Sequence, residues 1–170
     1  MNEGILRSAL RGGLILGAFF TLRFLITTLG SGVFISISSW VLVAIIVVAV
    51  WKLSEQYRDN ENGGYISYGK ALGFVLFSFF IASIISAVVK IFYFTVINAD
   101  YLADVANQAL ITMQDMGTKV TVEIEQMMNS ILSPIPWSLL VILGNMFLGL
   151  IVGLIVAAMV KKEKSIFDSE

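Results

Sequence analysis

Apolar residues run almost unbroken through four stretches, near Ile5–Leu29, Val33–Trp51, Lys70–Ile97 and Ile135–Val160, and polar residues collect between them. Each stretch reaches the length of about 20 residues that a helix needs to cross a bilayer. The turn Gly30–Ser31–Gly32 joins the first two, the loop Ser54–Gly69 joins the second and third, and a short tail, 161–170, follows the fourth. The segment Asn98–Pro134 has a different pattern. Leu102, Val105, Ala109, Leu110 and Met113 recur at helical spacing, with Asp104, Asn107, Gln108 and Asp115 on the other positions. Asn98–Asp100 can cap this helix and Gly117 can end it. Thr118 or Thr121 can start a second one carrying Val120, Ile124, Met127, Met128 and Ile131, closed by Ser133–Pro134, with Pro136 and Trp137 opening the fourth span. The pattern predicts an all-α membrane protein: one domain over residues 1–170, with four transmembrane helices and an amphipathic helical hairpin at 98–134.

Composition sharpens this picture. Of 170 residues 58% are hydrophobic and 14% charged, far from a soluble domain. The first run has the outline of a secretory signal, with Arg7 and Arg11 ahead of an apolar middle. Arg23 interrupts it and no small-x-small cleavage site follows, so it reads as a retained span. A net charge of −1 offers no basic field for nucleic acid. Histidine and cysteine are both absent, which removes disulfides, thiol nucleophiles, the common zinc ligand sets and the usual general base near neutral pH. No cofactor is expected.

The cations sort by segment. Arg7 and Arg11 open the first stretch, Lys52, Arg58 and Lys70 lie between the second and third, and Lys161, Lys162 and Lys164 follow the fourth span. The 98–134 segment has only Lys119 against Asp100, Asp104, Asp115, Glu123 and Glu125. The positive-inside rule therefore places both termini and the Ser54–Gly69 loop in the cytoplasm and the acidic hairpin outside.

Polar residues inside the spans are the remaining candidates. Lys90 lies 20 residues beyond Lys70, roughly 30 Å along a helix, which carries it to the outer interface, with Phe92, Tyr93 and Phe94 as an aromatic belt. Arg23, Ser86 and Asn145 reach similar depth, as do Ser36, Ser38, Ser39 and Trp40 on the second helix. Arg23, Lys90, Asn145 and Ser86 are thus candidates for an outward-facing pocket that takes an anionic solute or lipid headgroup. Ser78, Ala82, Ser86 and Lys90 share one face of the third helix; Asn145, Gly149, Gly153 and Ala157 share one of the fourth; Gly13 and Gly17 recur four apart on the first. Small residues at this spacing let helix backbones approach, so these positions are expected at helix contacts. Asp100 and Asp104, one turn apart, lack the further ligands a metal site needs and read as a solvated face.

In the cytoplasmic loop, Asn62–Gly63–Gly64 is a turn signal, Ser67 a helix cap and Lys70 a headgroup anchor. The lead-in "ISYGKALGF" (Ile66–Phe74), the acidic stretch after the third span, the Ser133–Pro134 break and "GLIVGLIVAAMVKK" (Gly149–Lys162) together resemble a bacterial membrane family catalogued as domain of unknown function 4199. The resemblance covers nearly the whole chain and implies four transmembrane helices in an inner membrane. It carries no activity and no catalytic residues. In that family a proline often follows the aspartate of the outer stretch, where this chain has Tyr101 after Asp100. Two functional readings follow: a non-enzymatic membrane protein acting through contacts of its helices or hairpin with itself or a membrane partner, and a small carrier or binder of an anionic solute or lipid headgroup.

Overall fold

The computed structural model describes residues 3–30 and 32–164. Ser31 of the glycine turn and the last six residues of the tail lie outside the described residues. Among those described, the chain forms six α-helices and no strand: α1 (Glu3–Leu29), α2 (Val33–Glu61), α3 (Tyr68–Phe92), α4 (Tyr101–Asp115), α5 (Val122–Ile131) and α6 (Pro134–Val160). One π-helical turn, Tyr93–Ile97, continues α3. Four helical stretches are long and apolar enough to cross a membrane: Gly4–Leu29, Val33–Glu61, Tyr68–Ile97 and Pro134–Val160. The all-helical, four-span character expected from the patterning is present.

Two boundaries differ from the hydropathy reading. The segment Ser54–Gly69, read as a loop, is helical through Glu61. Helix formation does not stop where apolar residues do: Glu55, Gln56 and Arg58 are good helix formers, and Lys52 pairs with Glu55 at 3.2 Å one turn away. The true connection is the short Asn62–Ser67, where Gly63 and Gly64 take φ of +62° and +85°, a conformation glycine adopts without steric cost.

The chain divides into two compact units, residues 1–86 with 144–170 and residues 87–143. In the first, α1, α2, α3 and α6 contribute to one buried cluster that includes Leu16, Phe20, Ile46, Val50, Phe74, Phe79 and Val156. Here α3 receives both α1 and α6. A Cβ placed on Gly13 would stand 2.6 Å from Ile81 Cβ, and one on Gly17 3.0 Å from Ile85 Cδ1. On the other contact, a Cβ on Gly149 would stand 2.6 Å from Phe79 Cγ, and one on Gly153 3.0 Å from Leu72 Cδ1. In lipid there is no hydrophobic gain from helix association, so this close packing and its dispersion energy hold the unit together. Ser78, Ala82 and Ala157 are buried as well, Ser78 against Gly12 and Gly13 and the two alanines in the core cluster. The hydroxyls of Ser54, Ser78 and Ser83 each donate to the carbonyl four residues back, which satisfies them without an interhelical partner.

In the second unit, Tyr93 and Phe94 are buried. Phe94 stacks on Tyr101 at 5.5 Å and Tyr93 meets Phe94 edge-on at 5.6 Å. Of the three rings read as an aromatic belt, Phe92 is exposed, while Tyr93 and Phe94 are packed inside the unit. The π turn inserts an extra residue into the helical repeat and so rotates the residues after it relative to a regular α-helix.

Further along, α4 buries Leu102, Ala106 and Leu110, spaced by four. It ends in a Schellman motif: the Thr118 N–H donates to the Met113 carbonyl and the Gly117 N–H to the Gln114 carbonyl, both at 2.9 Å, with Gly117 at φ +82°. Thr121 takes the extended N-cap conformation for α5, and its hydroxyl holds the exposed Glu123 carboxyl below its ordinary pKa. Pro134 opens α6 at its first position, where no N–H is needed, and the Trp137 N–H donates to the Ser133 carbonyl at 2.9 Å. Gly117→Ala forces an L side chain into the left-handed region and is expected to cost roughly 1–2 kcal/mol locally. Amide exchange at residues 116–118 should speed up severalfold; unchanged exchange would show that the motif does not set the end of α4.

Candidate functional site

The α1–α2 hairpin carries a cationic recess beside its turn. Arg23 is exposed, seven residues before Gly30, and Ser39 is buried, seven residues after Gly32, so the two side chains come level across the hairpin. Arg23 Nε donates to Ser39 Oγ at 3.0 Å. Around them a recess of about 310 Å³ is lined by Thr27, Gly30, Gly32, Ile35, Ser36 and Trp40 as well. The hydroxyl of Thr27 donates to the Arg23 carbonyl at 2.9 Å, and that of Ser36 reaches the Gly32 carbonyl only at a long 3.4 Å.

A guanidinium has five N–H donors in a rigid planar fork. Arg23 uses one of them, and among the described residues it has no carboxylate partner. Ser39 accepts from Arg23, so its own O–H is left to donate elsewhere. The recess therefore presents a cation and unused donors to an acceptor from outside the chain.

The other sequence candidates are placed differently. Neither Ser86 nor Asn145 lines this recess. Ser86 is fully buried and its hydroxyl has no hydrogen-bond partner among the described residues; Asn145 is half-buried on α6. Lys90 is half-buried in the last turn of α3 and belongs to the second unit, whereas Arg23, Ser86 and Asn145 belong to the first. The partner that the structure gives Arg23 is Ser39. Sequence reasoning set this serine in the outer half of the second helix and left it out of the site. The equal count of seven on either side of the glycine turn was the signal that could have found it.

At the other end of α2 lies a structural latch. Arg58 grips Asp59 with two hydrogen bonds, 2.7 and 3.1 Å, and its Nη1 donates to the Val160 carbonyl at 3.4 Å. The amide nitrogen of Asn62 donates to the Tyr57 carbonyl at 2.8 Å, while its side-chain oxygen accepts from Lys70. Ile66 and Lys162 exchange two backbone hydrogen bonds, 2.8 and 3.0 Å. Below them the Tyr57 ring lies parallel to Phe74, centroids 4.6 Å apart. The "NGGYISYGKALGF" stretch is thus built to fasten the ends of α2, α3 and α6. Within it Asn62 and Lys70 bond to each other, and the Tyr68 hydroxyl donates to the Leu154 carbonyl of α6 at 3.3 Å. Asp100 and Asp104 stand exposed in the first turn of α4, the Asp104 N–H donating to the Asp100 carbonyl at 2.9 Å.

The chain belongs to the family described as "Protein of unknown function (DUF4199)", whose model matches residues 8–162. That span includes the latch stretch and the α6 exit on which the resemblance was based. No curated protein and no solved structure matches the chain.

Proposed function

We propose that this DUF4199 member is a multi-pass protein of a bacterial inner membrane, with both termini and the Ser54–Gly69 segment cytoplasmic, that works without catalysis through contacts of its membrane helices or of its α4–α5 segment with a second copy or a membrane partner. One observation carries this reading. Helix α5 is amphipathic, with Glu123, Glu125, Gln126 and Asn129 set among Val122, Ile124, Met127, Met128 and Ile131, yet among the described residues it has no buried member. The apolar residues Val122, Met127 and Ile131 that the chain leaves exposed are available to another surface. The absence of histidine and cysteine from the sequence argues in the same direction, away from acid–base and thiol chemistry.

The cysteine-free chain suits a direct test. Single Thr118→Cys, Asn60→Cys and Met127→Cys variants are expressed in bacterial cells. Membrane-impermeant maleimide added to spheroplasts is expected to label Thr118→Cys fully and Asn60→Cys only after permeabilisation. Oxidation or a short bismaleimide is expected to convert most of Met127→Cys into one discrete larger species. Labelling of Asn60→Cys from outside would overturn the orientation, and a reactive Met127→Cys that yields only monomer would overturn the contact reading.

A second reading is favoured by the unused donors of Arg23: binding of an anion in the hairpin recess. Its class of ligand is taken up next.

A further inference from the structure

The Arg23 recess lies at the end of a helix that is long for a bilayer. Gly4–Leu29 is 26 residues, roughly 39 Å at 1.5 Å per residue, against a hydrocarbon thickness of about 30 Å. Arg23 is seven residues, about 10 Å, from the turn, so the recess falls in the headgroup layer or just beneath it, within reach of a long flexible cation.

The surroundings are apolar and uncovered. Leu29, Val33, Phe34 and Ile37 are all well exposed on the same hairpin end, Phe34 at 86%, and Trp40 on the rim is 75% exposed. Exposed aromatic and aliphatic side chains at this level are what acyl chains and the interfacial zone accept, and tryptophan concentrates there. A free inorganic anion would gain nothing from them. An amphiphile with an anionic head would use both parts: its phosphate oxygens can take the remaining N–H groups of Arg23 in a bidentate pair and the O–H of Ser39, while its chains lie along the exposed apolar side chains.

We infer that the α1–α2 hairpin recess, built from Arg23 and Ser39 with Ser36 and Trp40 at its rim, is a binding site for the phosphodiester headgroup of an anionic phospholipid. This rests on the second reading above, anion binding, and names the ligand class. Lys90, Ser86 and Asn145 are not required for it.

Native mass spectrometry of the full chain, extracted in a neutral detergent and titrated separately with dioleoylphosphatidylglycerol, dioleoylphosphatidylcholine and inorganic phosphate, tests it. The wild type is expected to retain one phosphatidylglycerol, to hold phosphatidylcholine at least fivefold more weakly, and to show no phosphate adduct. Arg23→Gln is expected to reduce phosphatidylglycerol retention at least tenfold and Ser39→Ala two- to threefold. Size exclusion and far-UV circular dichroism check that each variant is folded. Should Arg23→Gln not fold, Arg23→Lys decides, because it keeps the charge and loses the fork: it is expected to retain the lipid several-fold less well.

Phosphatidylglycerol retention equal to wild type in the folded Arg23 variant overturns the site. Equal retention of the two lipids overturns charge recognition and leaves annular lipid only. A phosphate adduct that displaces phosphatidylglycerol overturns the lipid assignment while the anion-binding reading stands; absence of every adduct ends both.

Discussion

Gly149→Ala is expected to lower the thermal midpoint of the detergent-solubilised protein by several degrees, corresponding to about 1–3 kcal/mol of overpacking. The added methyl would sit 2.6 Å from Phe79 Cγ and 2.8 Å from its Cβ. Phe79 has no free space to swing into, since it is fully buried and meets Phe20 edge-on at 5.6 Å. Either α6 withdraws from α3, and loses contacts along the whole interface, or the ring leaves its rotamer. Gly144→Ala is the matched control: a Cβ there meets nothing within 4 Å, and alanine is the better helix former, so its midpoint should be unchanged or higher. A double variant with Phe79→Leu should recover part of the Gly149→Ala loss, giving a coupling of at least about 0.5 kcal/mol. Equal midpoints for Gly149→Ala and Gly144→Ala would show that α6 does not rest on α3 through this glycine.

Tyr57→Ala is expected to cost about 3–4 kcal/mol, within the range for removing a buried aromatic side chain. Tyr57 is 4% exposed and stacks on Phe74, itself 2% exposed, with rings 9° from parallel. It stands 25 residues into α2, roughly 37 Å from the start of the helix, beyond a bilayer's hydrocarbon thickness of about 30 Å. Here water is the alternative environment, so the loss includes the transfer term that is missing for residues deep in lipid. The latch above it should loosen, and protease should cut the Asn62–Ser67 connection at least tenfold faster. Trp40→Ala serves as the contrast, since a ring 75% exposed contributes little to folding and its midpoint should stay within a degree or two. A Tyr57→Ala variant as stable as wild type would mean that the latch, not the stack, holds α2 to α3.

Much of the fold was legible because the bilayer imposes a simple rule. Every backbone polar group in lipid must be satisfied within its own segment, so a run of about 20 apolar residues has to be a helix. Local stereochemistry was equally readable. Gly117 ends α4, Thr121 precedes α5, and Ser133–Pro134 opens α6, each for reasons confined to the residue and its immediate neighbours. The small-residue positions, Gly13, Gly17, Gly149 and Gly153, were legible as contact points, but not their partners Ile81, Ile85, Phe79 and Leu72.

What went unread lay in features that hydropathy and a regular helical count do not register. The polar end of α2 is helical through Glu61 because its side chains pair along the helix and its final turn is capped by the Asn62–Gly64 bonds, and hydropathy is blind to both. Tyr93 and Phe94 are buried where the π turn begins and pack with Tyr101, a contact that no 3.6-residue count contains. Depth is one coordinate of three, and the azimuth that sets Ser39 beside Arg23 is fixed by how α1 packs on α2. From its sequence alone the chain is determined to be an all-helical membrane protein with four spans and a polar interruption before the fourth, since hydrophobic length and capping chemistry suffice. Only the tertiary structure decided that Arg23 meets Ser39 and that the glycines receive Phe79 and Ile81, because those facts arise from the rotation of packed helices about their own axes.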